Sequence, residues 1–308
     1  DYYASRGLGD VYKRQVYKVS YNGKTYALKW YHLGVFKGKE NDFYKNLENN
    51  ISNGAPTDAF LWPKAITKVY NDQFGYLMDV RPSGYEELTN FFVGGRKQKQ
   101  ARFKSFYALC TAAINIIEAF RALHNNGYSY QDINNGNFFI NPENGDVLIC
   151  DNDNVSPFGT NLGIMGKQRW MAPEIVMGKN DPDKNSDRFS LAVVLFRLLF
   201  INHPLEGRYS TPPCMTKEAE QKYYGSAPIF VYDPSTTENR PIPGTDHNLK
   251  LFWNVYPDYV KEAFIRAFSH DVMMKQKPRI LEKEWLDIFI RLRTEIGRCP
   301  HCDMNPKS

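Results

Sequence analysis

YSYQDINNGNFFI (residues 128–140) runs directly into NPENGDVLICDNDN (residues 141–154), and these two stretches are the most informative part of the sequence. Asp132 and Asn137 stand five positions apart in a polar loop that leads into the apolar run FFI. The second stretch turns through Asn144-Gly145, a dipeptide that suits the positive φ angles of a tight hairpin turn. It then ends in LICD, with Asp151 at the end of a strand. The pattern therefore predicts a β-hairpin with carboxylate and amide side chains at its open end.

The chain upstream of this hairpin predicts a strand-rich region. Val16–Tyr21 and Lys24–Tyr31 are β-branched and aromatic runs joined by Asn22-Gly23, which predicts another hairpin. Residues 39–51 carry apolar side chains every fourth position and predict a helix. Two short strand segments are predicted after it, at residues 60–70 and 73–80.

The downstream chain is mostly helical by its patterning. Phe106–His124 predicts a long helix with one apolar face, and the region from Ser186 onward is mainly helical. The fold class predicted from these patterns is α+β, with a small strand-rich N-terminal lobe and a larger helical C-terminal lobe. We place the boundary between the lobes near Arg81–Gly84, which gives lobes at residues 16–82 and 83–297.

Composition limits the classes of partner. The net charge is +5, and no arginine-rich stripe with interleaved aromatics is present, so we expect no nucleic-acid binding. The most apolar run, Phe189–Ile201, is too short for a membrane span and contains Arg197, so we expect no membrane insertion. Five scattered cysteines argue against a disulfide scaffold and favour a reducing compartment, with the cytoplasm as the expected location.

Both ends of the chain have unusual sequences. Residues 1–15 lack periodicity, and we interpret them as a non-native or disordered leader. Residues 298–308 contain Cys299 and Cys302 in a C-x-x-C, the spacing of half a zinc site. A structural zinc site needs four ligands, so two free cysteines are the alternative interpretation.

Four short motifs occur in a meaningful order: YALK (residues 26–29), YQDINNGN (130–137), DND (151–153) and APE (172–174). Their order and spacing resemble the signatures of the protein kinase superfamily, which are V-A-I-K, H-R-D-L-x-x-x-N, D-F-G and A-P-E. The resemblance covers residues 16–290 and is nearest to the bacterial, eukaryotic-like serine/threonine kinases. It implies a two-lobed kinase fold, with a zinc ribbon in a longer parent protein that would bind Zn²⁺.

The resemblance implies roles in handling ATP and Mg²⁺. Lys29 would pair with the α/β-phosphates and be held by a helix carboxylate, Glu48 or alternatively Glu40. Asn137 and Asp151 would supply hard oxygen ligands to magnesium. Asp132 would accept or orient the proton of the incoming hydroxyl.

The same resemblance implies a pocket for the adenine base. The apolar side chains of Val16, Ala27 and Phe139 would enclose the base. Met78 would be the gatekeeper that limits the depth of the pocket, and Asp79 and Val80 would offer backbone groups to the base. Ordinary core packing is the alternative role for each of these side chains.

Three further residues resemble structural positions of protein kinases. Asp187 corresponds to the aspartate that braces the catalytic-loop backbone. Arg279 corresponds to a late arginine that pairs with the A-P-E glutamate, here Glu174. Because that pair is typical of protein kinases, it implies a protein substrate.

The chain also departs from the family pattern. The glycine-rich loop is missing or scrambled, and Tyr130-Gln131 replaces His-Arg. Asn134 replaces a lysine, Lys167 replaces a threonine, and Asn152-Asp153 replaces Phe-Gly. The implied function is an ATP- and Mg²⁺-dependent protein kinase that acts on Ser/Thr hydroxyls. A nucleotide-binding pseudokinase or scaffold, and a small-molecule phosphotransferase, are the alternatives.

Overall fold

The structure is a computed structural model that describes residues 14–297, apart from residues 33, 35, 37 and 94–99. Its first seven elements are five strands and two helices. In chain order these are β1 (Arg14–Tyr21), β2 (Lys24–Tyr31), α1 (Glu40–Asn53), β3 (Ala65–Ile66), β4 (Phe74–Asp79), β5 (Glu86–Glu87) and α2 (Leu88–Phe92). The first strand thus begins two residues before the predicted lobe boundary at residue 16.

The N-terminal sheet is antiparallel, in the order β1-β2-β4-β3. The predicted hairpin is confirmed: Tyr21 pairs with Lys24, and Asn22 and Gly23 take φ angles of 49° and 73°. Helix α1 packs on this sheet through a small apolar cluster: Tyr31, Phe43, Leu47, Phe74, Tyr76 and Met78. This cluster is separate from the main core, and the two cores confirm the predicted two-lobed α+β architecture.

The elements that follow α2 among the described residues are four short strands and eight helices. They are α3 (Phe106–Asn125), β6 (Tyr128–Ser129), β7 (Phe138–Ile140), β8 (Val147–Ile149), β9 (Ser156–Pro157), α4 (Pro173–Val176), α5 (Lys184–Phe200), α6 (Lys217–Gln221), α7 (His247–Val255), α8 (Asp258–Ala267), α9 (His270–Met273) and α10 (Glu282–Thr294). A 3₁₀ turn follows β8 at Asn152–Asn154, and a π-helical turn covers Lys222–Ser226.

The main core forms around α3 and α5, with α10 packed against α3. Helix α3 is capped by Ser105, the residue before it, whose side chain accepts a hydrogen bond from the Ala108 amide. Helix α5 begins with a capping box between Asp183 and Ser186. These caps fix the residue at which each helix begins.

The central hairpin is confirmed as β7 and β8, paired from Phe138–Ile149 to Ile140–Val147. Gly145 takes a φ of 82° in its turn, and its backbone lies against α3. A Cβ at this position would be 2.3 Å from the Ala108 carbonyl oxygen, so only glycine fits.

The strand predicted over residues 60–70 is mostly irregular. Only Ala65–Ile66 forms a strand, because Pro63 interrupts the run and cannot donate to a sheet ladder. Phe60 and Trp62 instead bury their rings in the main core, so this segment contributes to both lobes.

No membrane span was expected from the sequence, but α3 meets the length and composition criteria for one. Among the described residues it is the one helix that does so, with a mean hydropathy of 1.4. Its apolar side chains are those of the main core: more than half of the segment is buried inside the protein.

Candidate active site

Helix α5 holds the loop that carries Asp132 through hydrogen bonds to its backbone. The Asp187 carboxylate accepts hydrogen bonds from the Tyr130 amide at 2.7 Å and from the Gln131 amide at 2.9 Å. Gln131 takes a left-handed φ of 70° there, a costly conformation that the two bonds support. The predicted bracing role of Asp187 is confirmed in its geometry.

Asp132 is held by two asparagines of its own loop. Asn134 Nδ2 donates to Asp132 Oδ1 at 3.0 Å, and Asn137 Nδ2 donates to the Asp132 carbonyl at 2.9 Å. Asn134 Oδ1 accepts from the Gly136 amide at 2.9 Å. Asn134 therefore orients the carboxylate of Asp132, and its side chain is fully engaged in that task.

The hairpin brings Asp151 beside Asn137. The Cys150 amide donates to the Asn137 carbonyl at 2.8 Å, which continues the β7–β8 ladder by one step. Asp151 then leaves the strand with a left-handed φ of 54°. Its Oδ1 accepts from Lys29 Nζ at 3.1 Å, so the lysine from the N-terminal lobe and the two candidate metal ligands share one location.

Lys29 has a further partner that the sequence did not reveal. Its Nζ lies 2.8 and 2.9 Å from the two carboxylate oxygens of Asp153, and both side chains are almost completely buried. Tyr31 and Tyr76 donate to the same carboxylate, the second at 3.3 Å. Burial and then the charge of Asp153 raise the pKa of Tyr31 well above its usual value, so its hydroxyl remains a neutral donor.

The predicted ion pair between Lys29 and Glu48 is wrong. Glu48 is exposed on α1, whereas the ammonium of Lys29 is buried, and the ion pairs of Lys29 in the described chain are with Asp151 and Asp153. The alternative, Glu40, accepts from the Gly38 amide instead. An interval of 19 residues places an acid on the correct helix but does not fix which face of that helix it occupies.

The buried face of α1 presents amides where a carboxylate was expected. Asn46 and Asn50 each donate from Nδ2 to the Val155 carbonyl at 2.8 Å. Trp62 Nε1 donates to the Asn50 carbonyl, also at 2.8 Å. Helix α1 is thereby tied to the chain that follows the D-N-D motif.

Gln131 occupies the position of the expected arginine and links two loops. Its Nε2 lies 2.9 Å from both Ser129 Oγ and Ser156 Oγ and 2.7 Å from the Thr160 carbonyl. These contacts connect the catalytic loop to the segment after β9. A neutral amide reaches these hydroxyls and the carbonyl without needing a counter-ion.

The residues predicted to contact adenine are distributed over both lobes. Val16 and Ala27 are half-buried on neighbouring strands, opposite Lys29 and Met78 respectively, and Met78 is buried. Asp79 pairs with Lys64 at 2.5 Å and Val80 is exposed. Whether these groups contact a base stays a prediction.

Phe139 has an unexpected neighbour. The Arg81 guanidinium lies 3.9 Å from the centre of its ring, in the range of a stacked cation–π contact. A base that uses this ring as its floor must therefore share it with Arg81 or displace it.

The donor set suits a hard divalent cation bound together with phosphate. Asp151 offers carboxylate oxygens, and the Asn137 amide nitrogen is used by Asp132, which directs the Oδ1 oxygen to the role of ligand. Within the described residues no group of three or more His, Cys, Asp or Glu side chains could hold a metal without help. Magnesium commonly binds one or two protein oxygens and completes its shell with phosphate and water, so these residues fit it. Cys299 and Cys302 lie outside the described residues.

These features define a two-lobed α+β protein. A lysine from a strand of the N-terminal lobe faces acidic residues that lie on a loop and at the end of a hairpin in the C-terminal lobe. A family model of the protein kinase domain matches residues 81–242, more than half of the chain. The chain belongs to the protein kinase family.

Two curated relatives are similar to parts of this chain. The serine/threonine-protein kinase SCH9 of Candida albicans is 26% identical over 208 residues, which are 64% of this chain and 25% of that protein. The mitogen-activated protein kinase kinase kinase 3 of Arabidopsis thaliana is 30% identical over 86 residues, 27% of this chain and 14% of that protein. The chain therefore spans at most a quarter of the length of either relative.

Proposed function

We propose that this chain is an ATP- and Mg²⁺-dependent protein kinase that transfers the γ-phosphoryl group to a serine or threonine hydroxyl. The observation that carries the proposal is the convergence of Lys29 and Asp151, 3.1 Å apart, beside a loop in which Asn137 is hydrogen-bonded to Asp132. Lysine, metal ligands and base are the minimal set that phosphoryl transfer requires.

Each residue has a role that follows from its chemistry. Asp132, oriented by Asn134, accepts the proton of the incoming hydroxyl. As it does so, the hydroxyl oxygen bonds to the γ-phosphorus and the bond between the γ-phosphorus and the β,γ-bridging oxygen, which leaves with ADP, breaks. Lys29 places a positive charge against the α/β-phosphates. Asn137 and Asp151 would hold magnesium, which supplies neutralisation of the phosphate charge when bound.

A protein substrate is supported by the C-terminal lobe. Arg279 and Glu174 form a bidentate buried ion pair at 2.7 and 2.8 Å, as expected of protein kinases from the resemblance. Both similar relatives are protein kinases by name, one of them a serine/threonine kinase. Specificity for Ser/Thr in this chain is part of the proposal.

The test is transfer of labelled phosphate from [γ-³²P]ATP to a mixture of protein acceptors, to the chain itself and to a panel of aminoglycosides and sugars. We expect labelling of protein serine or threonine that requires Mg²⁺. Lys29→Met should abolish it because the phosphates lose their cation, while Lys283→Met, which removes an exposed lysine on α10, should leave it unchanged.

Three results would decide against the proposal. Binding of ATP without transfer to any acceptor would favour a pseudokinase or scaffold. Labelling of the small molecules in preference to proteins would favour a small-molecule phosphotransferase. Labelling of tyrosine alone would overturn the Ser/Thr assignment.

A further inference from the structure

The carboxylate that holds Lys29 comes from the D-N-D motif and not from helix α1. Both oxygens of Asp153 lie within 2.9 Å of Lys29 Nζ, and Asp151 offers one oxygen at 3.1 Å. Lys29 and Asp153 are each 1% exposed. The two charges are therefore largely removed from solvent and depend on each other.

The surroundings of Asp153 supply hydrogen-bond donors to its buried carboxylate. A buried ion pair is costly unless additional hydrogen bonds satisfy its remaining atoms. Tyr31 and Tyr76 supply such bonds to the Asp153 carboxylate. Lys29 and Tyr31 share one face of β2 because side chains alternate along a strand, and Tyr76 stands opposite Lys29 on β4. The sheet thus presents an ammonium and two hydroxyls toward a single carboxylate.

Helix α1 is attached to the same segment by separate contacts. Its buried asparagines donate to the Val155 carbonyl, two residues beyond Asp153. Its acids Glu40, Asp42 and Glu48 make no ion pair with Lys29 among the described residues. The contacts of α1 with this segment are therefore made by amides, and the Lys29–Asp153 ion pair itself contains no side chain of α1.

We infer that Asp153 is the positioning residue for Lys29, and that it takes the role assigned in the sequence to a glutamate of α1. Asp153 holds the ammonium beside Asp151, where the phosphates and their metal are proposed to bind. This inference rests on the proposed function. It implies that lysine placement in this chain is coupled to the D-N-D segment and is independent of acids on α1.

The experiment compares Asp153→Asn with Glu48→Gln and Glu40→Gln, three isosteric changes that each remove one negative charge. Affinity is measured for Mg·ATP and for adenosine, because only the former has phosphates for Lys29 to contact. We expect Asp153→Asn to weaken Mg·ATP binding at least ~10-fold and adenosine binding less than ~2-fold, since charge-assisted bonds orient the ammonium. Both glutamate variants should bind both ligands like the parent.

A double-variant comparison separates positioning from general damage. If Asp153 acts through Lys29, adding Asp153→Asn to Lys29→Met should change Mg·ATP affinity less than ~2-fold beyond Lys29→Met alone. An additional loss of ~10-fold in that background would show that Asp153 acts otherwise and would overturn the inference.

A milder variant covers the case in which Asp153→Asn does not fold. Tyr31→Phe removes one hydrogen bond to Asp153 and no charge. It should lower the preference for Mg·ATP over adenosine ~2- to 5-fold with the fold retained, and an unchanged preference would overturn the inference.

The inference and the proposed function fail in different ways. A parent protein that binds no Mg·ATP would overturn the proposed function and this inference with it. A parent that binds Mg·ATP, with Glu48→Gln impaired and Asp153→Asn unaffected, would overturn the inference alone.

Discussion

Asp151 combines two features that suit a metal ligand. Its backbone takes a left-handed conformation two residues after β8 ends, and its carboxylate accepts a hydrogen bond from the Lys29 ammonium. The Cys150 amide, one residue before Asp151, donates to the Asn137 carbonyl and extends the β7–β8 ladder, so the hairpin fixes the register between Asn137 and Asp151. The hairpin therefore sets the position from which the Asp151 carboxylate extends.

We predict that Mg²⁺ increases the thermal stabilisation of the protein by ATP and that Asp151→Ala removes this increase. A ligand at 100 times its dissociation constant stabilises a protein by about 2.7 kcal/mol, so the loss is measurable as a smaller shift in melting temperature. Differential scanning fluorimetry with ATP, with and without Mg²⁺, provides the measurement. Asp258→Asn, an exposed change on α8, is the control. Equal shifts in both conditions for the parent would contradict the metal assignment.

At the scale of elements, three helices of the C-terminal lobe meet at one buried histidine. His124 of α3 lies 3.1 Å from Asp187 of α5 and 2.8 Å from Glu282 of α10, and Arg188 of α5 also pairs with Glu282. Asp187 is the residue that braces the catalytic loop. The histidine therefore links the packing of α10 to the position of Asp132.

This cluster predicts a pH dependence of stability with a definite sign. Burial lowers the pKa of His124, but its bonds to Asp187 and Glu282 outweigh burial and raise the pKa above 6.5. The stabilisation from His124 is then complete below pH 6.5 and lost as pH rises through the raised pKa. Urea unfolding at several pH values should show this fall, and His124→Gln should lack it. A parent whose stability is flat across this range would contradict the prediction.

Glu282, in the same cluster, makes stability depend on pH at the low end of the pH range. Burial raises its pKa, but hydrogen bonds from His124 and Arg188 lower it to about 2. Its contribution is therefore present above its usual pKa and lost as pH falls towards 2. The cluster is thus most stabilising between the two limits.

At the scale of the whole molecule, one ion pair joins distant parts of the C-terminal lobe. Glu174 and Arg279 are 105 residues apart in sequence, yet they form two hydrogen bonds of 2.8 and 2.7 Å. Arg279 also donates to the Asn185 carbonyl at the start of α5. The pair thus fastens the A-P-E segment to two helical regions.

We predict that Glu174→Gln lowers the free energy of unfolding by ~3–5 kcal/mol, because it leaves the buried guanidinium of Arg279 without its counter-ion. Glu284→Gln breaks the exposed pair with Arg266 and is the matched control, expected to cost at most ~1 kcal/mol. Urea denaturation followed by fluorescence measures both. Equal losses in the two variants would show that burial is not what makes the Glu174 pair matter.

The sequence predicted features that depend on local chemistry or on motif order. Asn22-Gly23 fixed the first hairpin because few dipeptides adopt two positive φ angles, and the structure has that hairpin in the expected register. Helix α3 was predicted as Phe106–His124 and ends one residue later. The long-range partners of Asp187 and Glu174 followed from the family resemblance and are present.

The partner of Lys29 could not be found in the same way. Burial of Lys29 depends on how closely the D-N-D segment approaches β2, a tertiary relation that no local pattern encodes. The available signals were indirect: an acid at position 153 in place of glycine, and a tyrosine two residues after Lys29 on the same strand face. Residues 60–70 were mispredicted for a related reason, since Phe60 and Trp62 serve the core and not a strand ladder.

The most direct test of the kinase assignment is the effect of Asp132→Asn on phosphoryl transfer compared with ATP binding. Asp132 faces the incoming hydroxyl in the proposed mechanism, and Asn134 and Asn137 already hold its loop in place. We predict an ATP dissociation constant within a few-fold of the parent and a kcat lower by ~10²-fold or more, the range of general-base effects. A variant that transfers phosphate as fast as the parent would contradict the assignment of Asp132 as the base.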